Sequence, residues 1–207
     1  MKVAVFKNAL NIELYRAAIK TFSTHVPQPG LVGTALKGTQ RVDASIRDVS
    51  VRYIKAPPGG YIEPPAHGLR TAGHAGVNIF EPNHSIYSEL TKFASQFGDY
   101  EPEIVQIITY RKGNYYNWHV DGSGKGYRKL SFISILNPPN EYDGGELEIE
   151  GIELPEYAYD PLSVIVFNPA LKHRVKPITR GIRHSLVTWF KEKALPRKVI
   201  EVHGHPI

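Results

Sequence analysis

A histidine and an aspartate two positions apart close the segment Tyr110-Arg-Lys-Gly113-Asn-Tyr-Tyr116-Asn-Trp-His119-Val-Asp121. On a strand, residues two apart share a face, so this imidazole and this carboxylate would converge on one point. A second imidazole from downstream would complete two nitrogens and one oxygen. That ligand set suits non-haem Fe(II) and leaves three adjacent coordination positions open. His173 is the candidate. Alone, a His-x-Asp pair is a modest signal, because a strand histidine is more often an ordinary hydrogen-bonded residue.

The context strengthens it. Beyond His173, the run Gly181-Ile-Arg183-His-Ser185-Leu-Val-Thr-Trp189-Phe190 reads as another strand, with Arg183, Ser185, Val187 and Trp189 on one face and His184, Leu186, Thr188 and Phe190 on the other. A guanidinium on a mostly apolar strand is expensive to bury unless a carboxylate meets it. A dicarboxylate cosubstrate would do so through a two-point contact with Arg183 and a hydrogen bond from Ser185. A structural ion pair is the competing reading for Arg183.

With these residues in order, the chain resembles the prolyl-4-hydroxylase-type branch of the Fe(II)/2-oxoglutarate dioxygenases. The resemblance is carried by Tyr110 through Asp121, by Arg128 before Leu130-Ser-Phe-Ile-Ser-Ile-Leu136-Asn137, by Gly144-Gly145-Glu146-Leu147, and by His173 and Arg183. It runs from about Tyr110 to Phe190 and covers the first half of the chain only loosely. It implies a hydroxylase of C–H bonds that uses Fe(II), 2-oxoglutarate and O2, with ascorbate as a reductant, and releases succinate and CO2. Peptidyl proline is the substrate it implies, hence a protein or peptide partner rather than nucleic acid.

The resemblance also assigns roles. His119, Asp121 and His173 would hold the metal, and Arg183 the distal carboxylate of 2-oxoglutarate. Tyr110 would hydrogen-bond the cosubstrate, and Ile133 and Leu147 would pack along its methylenes. Trp189 falls where relatives place a large supporting aromatic, with plain core packing an equal alternative. Tyr116 and Arg128 would line the substrate mouth, although ordinary packing serves Tyr116 as well. One departure stands out: where relatives often carry a tyrosine that assists the distal carboxylate, this chain has Ile135.

Other classes remain. A nucleobase demethylase of the same superfamily would suit the formal charge of +5 and the pI near 9.3. However, the position six residues after Arg183, where a second arginine is expected in that branch, is Trp189. An oxygenase of free amino acids, or an idle jelly-roll binding protein, is also open, although an idle protein would normally have lost part of the ligand set. Basic residues are spread along the chain, which favours a generic surface.

The 207 residues, with no cysteine, suit one domain with a full core and exclude disulfides and thiolate metal sites. No run is long and apolar enough to span a bilayer, so no membrane association and a cytoplasmic location are expected. Helical spacing predicts helices over Asn11 to Phe22 and Ile86 to Phe97, the second with Ser85 as N-cap. Strands are predicted over Ile46 to Ile54, Ile104 to Tyr110, Tyr115 to Val120, Leu130 to Asn137, Glu146 to Glu150, Ser163 to Asn168, Arg174 to Pro177 and His184 to Lys191. Gly113 reads as the turn before the ligand strand. The expected architecture is mainly β: a double-stranded β-helix, or jelly-roll barrel, over about 101–191, supported by helices from about 1–100. The Pro- and Gly-rich segment Lys55 to Pro82 reads as a mobile lid or a spacer, and its His67 and His74 as solvent-exposed. Val199 to Ile207 reads as a terminal strand or loose end.

Overall fold

Short apolar runs between Gly, Pro and Asn turns become strands along most of the chain. The computed structural model describes residues 2–32, 41–54, 79–80, 84–121 and 127–193. The lid segment at 55–78 and 81–82, with His67 and His74, and the tail at 199–207 lie outside the described residues.

In chain order the first elements are β1 (Val3–Phe6), α1 (Ile12–Thr24), β2 (Gln28–Pro29), β3 (Leu31–Val32), β4 (Arg41–Val42), β5 (Arg47–Asp48), β6 (Ser50–Ile54), β7 (Ile79–Phe80) and α2 (His84–Ala94). Then come β8 (Tyr100–Pro102), β9 (Val105–Arg111), β10 (Tyr115–His119), β11 (Arg128–Ile135), β12 (Tyr142–Gly144), β13 (Leu147–Ile149), β14 (Val164–Phe167), β15 (His173–Val175) and β16 (Ile178–Glu192). The major sheet runs β1-β14-β11-β16-β9-β6-β2, with β7, β8 and β12 attached, and a smaller sheet runs β13-β15-β10-β5.

Period-2 alternation decides the layers. On β11, Leu130 and Phe132 face a core shared with Leu14 and Ala18 of α1 and Ile86 and Leu90 of α2. The alternate residues, Ile133 and Ile135, face a second core shared with Leu147, Ile149 and Val175 of the smaller sheet. Helices thus cover one side of the major sheet and the smaller sheet covers the other. The architecture is a jelly-roll sandwich, and its two sheets stay open instead of closing into the expected barrel.

Asn11 caps α1 by accepting from the Glu13 amide at 2.7 Å, which stabilises a helix start by about 1 kcal/mol. The second helix starts at His84, ahead of the expected Ser85 cap, and ends at Ala94 rather than Phe97. Phe97 instead donates its amide to the Ala94 carbonyl in a turn and packs edge-on to Phe6 at 5.7 Å. The largest difference is β16, which begins six residues before the predicted start at His184 and runs through Gly181. That glycine takes φ 72°, a left-handed conformation that glycine adopts freely. In the fold it lies opposite Tyr142, and a Cβ there would meet the Glu141 carbonyl and the Tyr142 Cα. The first half also contributes strands to both sheets, β5 beside β10 and β6 beside β9.

Candidate metal centre

The antiparallel pairing of β10 with β15 places His119 directly opposite His173, so two imidazoles far apart in sequence meet at one end of the smaller sheet. Asp121 follows two residues after His119, its amide donating to the Pro169 carbonyl at 2.9 Å. The Nε2 atoms lie 3.6 Å from one Asp121 oxygen for His119 and 3.4 Å from the other for His173. All three ligand atoms fall within 4.8 Å of one another. Metal bonds of about 2.1 Å at right angles would set neighbouring ligand atoms about 3 Å apart. The donor set therefore fits a first-row divalent ion after small side-chain adjustments.

The surroundings prepare each donor. His119 Nδ1 lies 2.7 Å from the Asn117 carbonyl, and His173 Nδ1 lies 2.9 Å from the Leu171 carbonyl. A carbonyl only accepts, so each Nδ1 carries its proton and each Nε2 presents a lone pair to the centre. Burial, then the neighbouring His173, push the His119 pKa down to about 4, against the opposite pull of Asp121. Burial raises the Asp121 pKa, but His173, His119, Arg128 and the Ser131 hydroxyl together hold it below the ordinary carboxylate value. Ser131 donates to the carboxylate at 2.7 Å. Arg128 donates to the Asp121 carbonyl at 2.7 Å, pairs with Glu103 at 3.0 Å, and lies 3.7 Å over the Trp189 ring. Arg128 and Trp189 thus form one packed unit behind Asp121.

Tyr116 stacks on His119 with ring centroids 3.5 Å apart. Its phenol, pushed up to about 12 mainly by burial, stays neutral. Arg47 lies 4.8 Å from the centroid of the Tyr116 ring and is anchored to the Gln106 side chain at 2.7 Å and the Leu31 carbonyl at 2.9 Å.

Deeper between the sheets, Arg183 is 1 % exposed, and its Nε, Nη1 and Nη2 have no hydrogen-bond partner among the described residues. An uncompensated buried guanidinium costs several kcal/mol, so this one calls for an anion. Arg183 pairs with Tyr110 across β9, and the guanidinium sits 5.1 Å from the Tyr110 ring centroid. Ser185, 1 % exposed, pairs with Ile135 on β11, and Val187 pairs with Ile133. Ile133 and Leu147 lie in the same inter-sheet core as Tyr110. Gly145, in the left-handed region at φ 70°, lets the Arg183 stem pass, since a Cβ there would sit 3.1 Å from Arg183 Cδ. The structural ion pair considered for Arg183 is absent among the described residues.

Sequence reasoning missed Ser131, Arg47, Tyr142 and Glu103. Ser131 carried a faint signal, because it alternates with Ile133 onto the inward face. Arg47 and Glu103 reach the site through pairings that only the folded chain reveals.

Residues 105–191 match the sequence profile described as the 2OG-Fe(II) oxygenase superfamily. A PKHD-type hydroxylase of Synechococcus sp. is 40% identical over 93 residues, covering 41% of each chain. One from Hyphomonas neptunium is 40% identical over 87 residues, covering 39% of each. The match thus spans about two fifths of the length of these curated relatives. A prolyl-4-hydroxylase of Pseudomonas putida superposes with TM-score 0.57 at 19% identity, over 92% of both chains. A Trichoplax adhaerens prolyl hydroxylase, solved with a hypoxia inducible factor oxygen degradation domain peptide, gives TM-score 0.60 at 15% identity, covering 92% of this chain and 84% of that one. At such identities the structures speak to the fold. No described helix is long and apolar enough to cross a membrane.

Proposed function

We propose that this chain, whose residues 105–191 match the profile of the 2OG-Fe(II) oxygenase superfamily, is an Fe(II)- and 2-oxoglutarate-dependent dioxygenase that hydroxylates a C–H bond in a protein or peptide, with prolyl residues as the favoured target. The observation that carries this reading is the presence, in one sandwich, of a donor set for a cation and a buried guanidinium. Three donors converge on a cation position at His119, Asp121 and His173, and the Arg183 guanidinium, without a hydrogen-bond partner among the described residues, lies in the same sandwich.

His119 and His173 would hold the iron through Nε2 and Asp121 through a carboxylate oxygen. Arg183 would clamp the distal carboxylate of 2-oxoglutarate, with Ser185 as a second donor. Tyr110 would hydrogen-bond the same molecule, and Ile133 and Leu147 would flank its methylenes. When bound, iron and 2-oxoglutarate supply the oxidising chemistry: one oxygen atom of O2 ends in succinate, released with CO2, and the other becomes the hydroxyl of the product. The chain's own contribution is placement. The backbone carbonyls of Asn117 and Leu171 fix the tautomers, Ser131 and Arg128 orient Asp121, and Trp189 supports Arg128 from behind. Tyr116, stacked on His119, forms an aromatic wall of the mouth, and the exposed flank of Arg128 completes its rim.

The prolyl target rests on relatives named as hydroxylases and on the peptide in the Trichoplax adhaerens complex. Mass spectrometry of candidate peptides, incubated with Fe(II), 2-oxoglutarate and the protein, tests it. The expected product is heavier by one oxygen on proline and is not formed by Asp121→Ala. Hydroxylation confined to other residues, or to free amino acids, would overturn the prolyl assignment.

A further inference from the structure

Tyr142 is 6 % exposed, yet its hydroxyl has no hydrogen-bond partner among the described residues. A phenol buried in this way loses its water contacts and gains nothing in return. Its position explains where it points. Tyr142 sits on β12 directly opposite Gly181 of β16, and opposed residues of an antiparallel pair project to the same face. Gly181 has no side chain to occupy that space, and Arg183 follows two residues on. Tyr142 accordingly packs in the core between the sheets, together with Tyr110, Ile133, Ile135 and Leu147. Two phenols therefore flank the Arg183 guanidinium, Tyr110 from β9 and Tyr142 from β12. Ile135, the neighbour of Ser185, contributes no polar atom to this basin.

We propose that Tyr142 donates a hydrogen bond to the distal carboxylate of the 2-oxo acid held by Arg183, sharing with the guanidinium an acceptor that neither has among the described residues. The inference rests on the 2-oxoglutarate reading of the site. Burial raises the Tyr142 pKa, and the charge of the adjacent Arg183 together with a polar contact from its guanidinium lowers it, which agrees with a phenol lying beside the guanidinium and keeping its proton. The hydroxyl and the guanidinium lie within interaction range of each other but form no hydrogen bond of ordinary geometry, and a carboxylate between them, whose two oxygens offer about four acceptor sites, satisfies both. Tyr142 thus selects cosubstrates that carry a second carboxylate and acts from a strand other than those bearing Arg183 and Ser185.

The test is calorimetric titration of 2-oxoglutarate into Mn(II)-loaded protein, with Tyr142→Phe and Arg183→Met beside wild type. Losing one hydrogen bond to a charged group weakens binding by about tenfold or more. Tyr142→Phe should show that loss while binding Mn(II) as wild type does. Unliganded, it should melt no lower than wild type, because the hydroxyl removed had no partner, and a merely structural role would not produce that combination. Unchanged 2-oxoglutarate affinity in Tyr142→Phe, with binding lost in Arg183→Met, would overturn the role of Tyr142 and leave the site intact. Wild-type protein that takes up Mn(II) but no 2-oxoglutarate would overturn the underlying reading, and this inference with it.

Discussion

Replacing Arg183 by methionine should make the unliganded protein more stable. Arginine at this position has all three side-chain nitrogens buried and unpaired among the described residues, and only 1 % of the residue is exposed. Apolar replacement of buried charge commonly gains about 1–4 kcal/mol. Against that stands the contact between the guanidinium and the Tyr110 ring at 5.1 Å, a desolvated cation–π interaction of about 2 kcal/mol. A guanidinium this deeply buried belongs at the upper end of that range, about 3–4 kcal/mol, and the methionine stem keeps most of the packing, so the gain should win by about 1–2 kcal/mol. For a chain of this size that raises Tm by about 2–8 °C. Ligand reverses the order. At a hundredfold excess over Kd, 2-oxoglutarate stabilises wild type by about 2.7 kcal/mol, and Arg183→Met should gain none of it. Differential scanning fluorimetry with Mn(II), with and without 2-oxoglutarate, reads both arms. A variant that melts below wild type without ligand would show that the guanidinium already has a partner, and the argument for an anion there would fail.

Three further outcomes are expected. Ser131→Ala removes the 2.7 Å bond that orients Asp121; because that bond exists before metal arrives, Mn(II) affinity by calorimetry should fall by only about tenfold, the low end for lost supporting bonds. Gly181→Ala forces a side chain into the left-handed region at φ 72° and against the Tyr142 Cα at 2.9 Å, so chemical denaturation should show a loss of at least ~2 kcal/mol. His184, whose pKa is lowered to about 4 by burial and then by Arg52 and Arg111, against Glu141, stays neutral between Phe22 at 4.2 Å and the Thr109 hydroxyl at 3.1 Å. The unfolded chain binds that proton near pH 6.5, so this contribution is complete above pH 6.5 and disappears as pH falls towards 4. Urea unfolding of His184→Phe should therefore lose less stability over that window than wild type does.

How much of this was legible in sequence follows from how local each feature is. His119 with Asp121, and Arg183 with Ser185, are pairs two residues apart, and alternation alone sets their shared faces. His173 is different: its place opposite His119 depends on the β10–β15 register, which no local pattern states, and the sequence offered it only as the downstream imidazole that would complete the ligand set. The two cores were visible in the alternation of β11 and β16, and the helices in their apolar spacing. The start of β16 at Ile178 was not legible, because the residues before Gly181 are strand through their pairing with β12. The four-residue run Val3–Phe6 gave no strand signal of its own and is a strand because it pairs with β14. Arg47 reaches the site through the pairing of β5 with β10, so its sequence neighbours carry no trace of its position.

The central claim is most directly tested by incubating the protein with Fe(II), 2-oxoglutarate and heavy-oxygen-labelled O2, and analysing succinate by mass spectrometry. The account predicts succinate carrying one labelled oxygen atom, formed by wild type and absent with Asp121→Ala, whose carboxylate lies 3.4 to 3.6 Å from both imidazoles. No labelled succinate above an Fe(II)-only background, from wild-type protein that binds the metal, would contradict it.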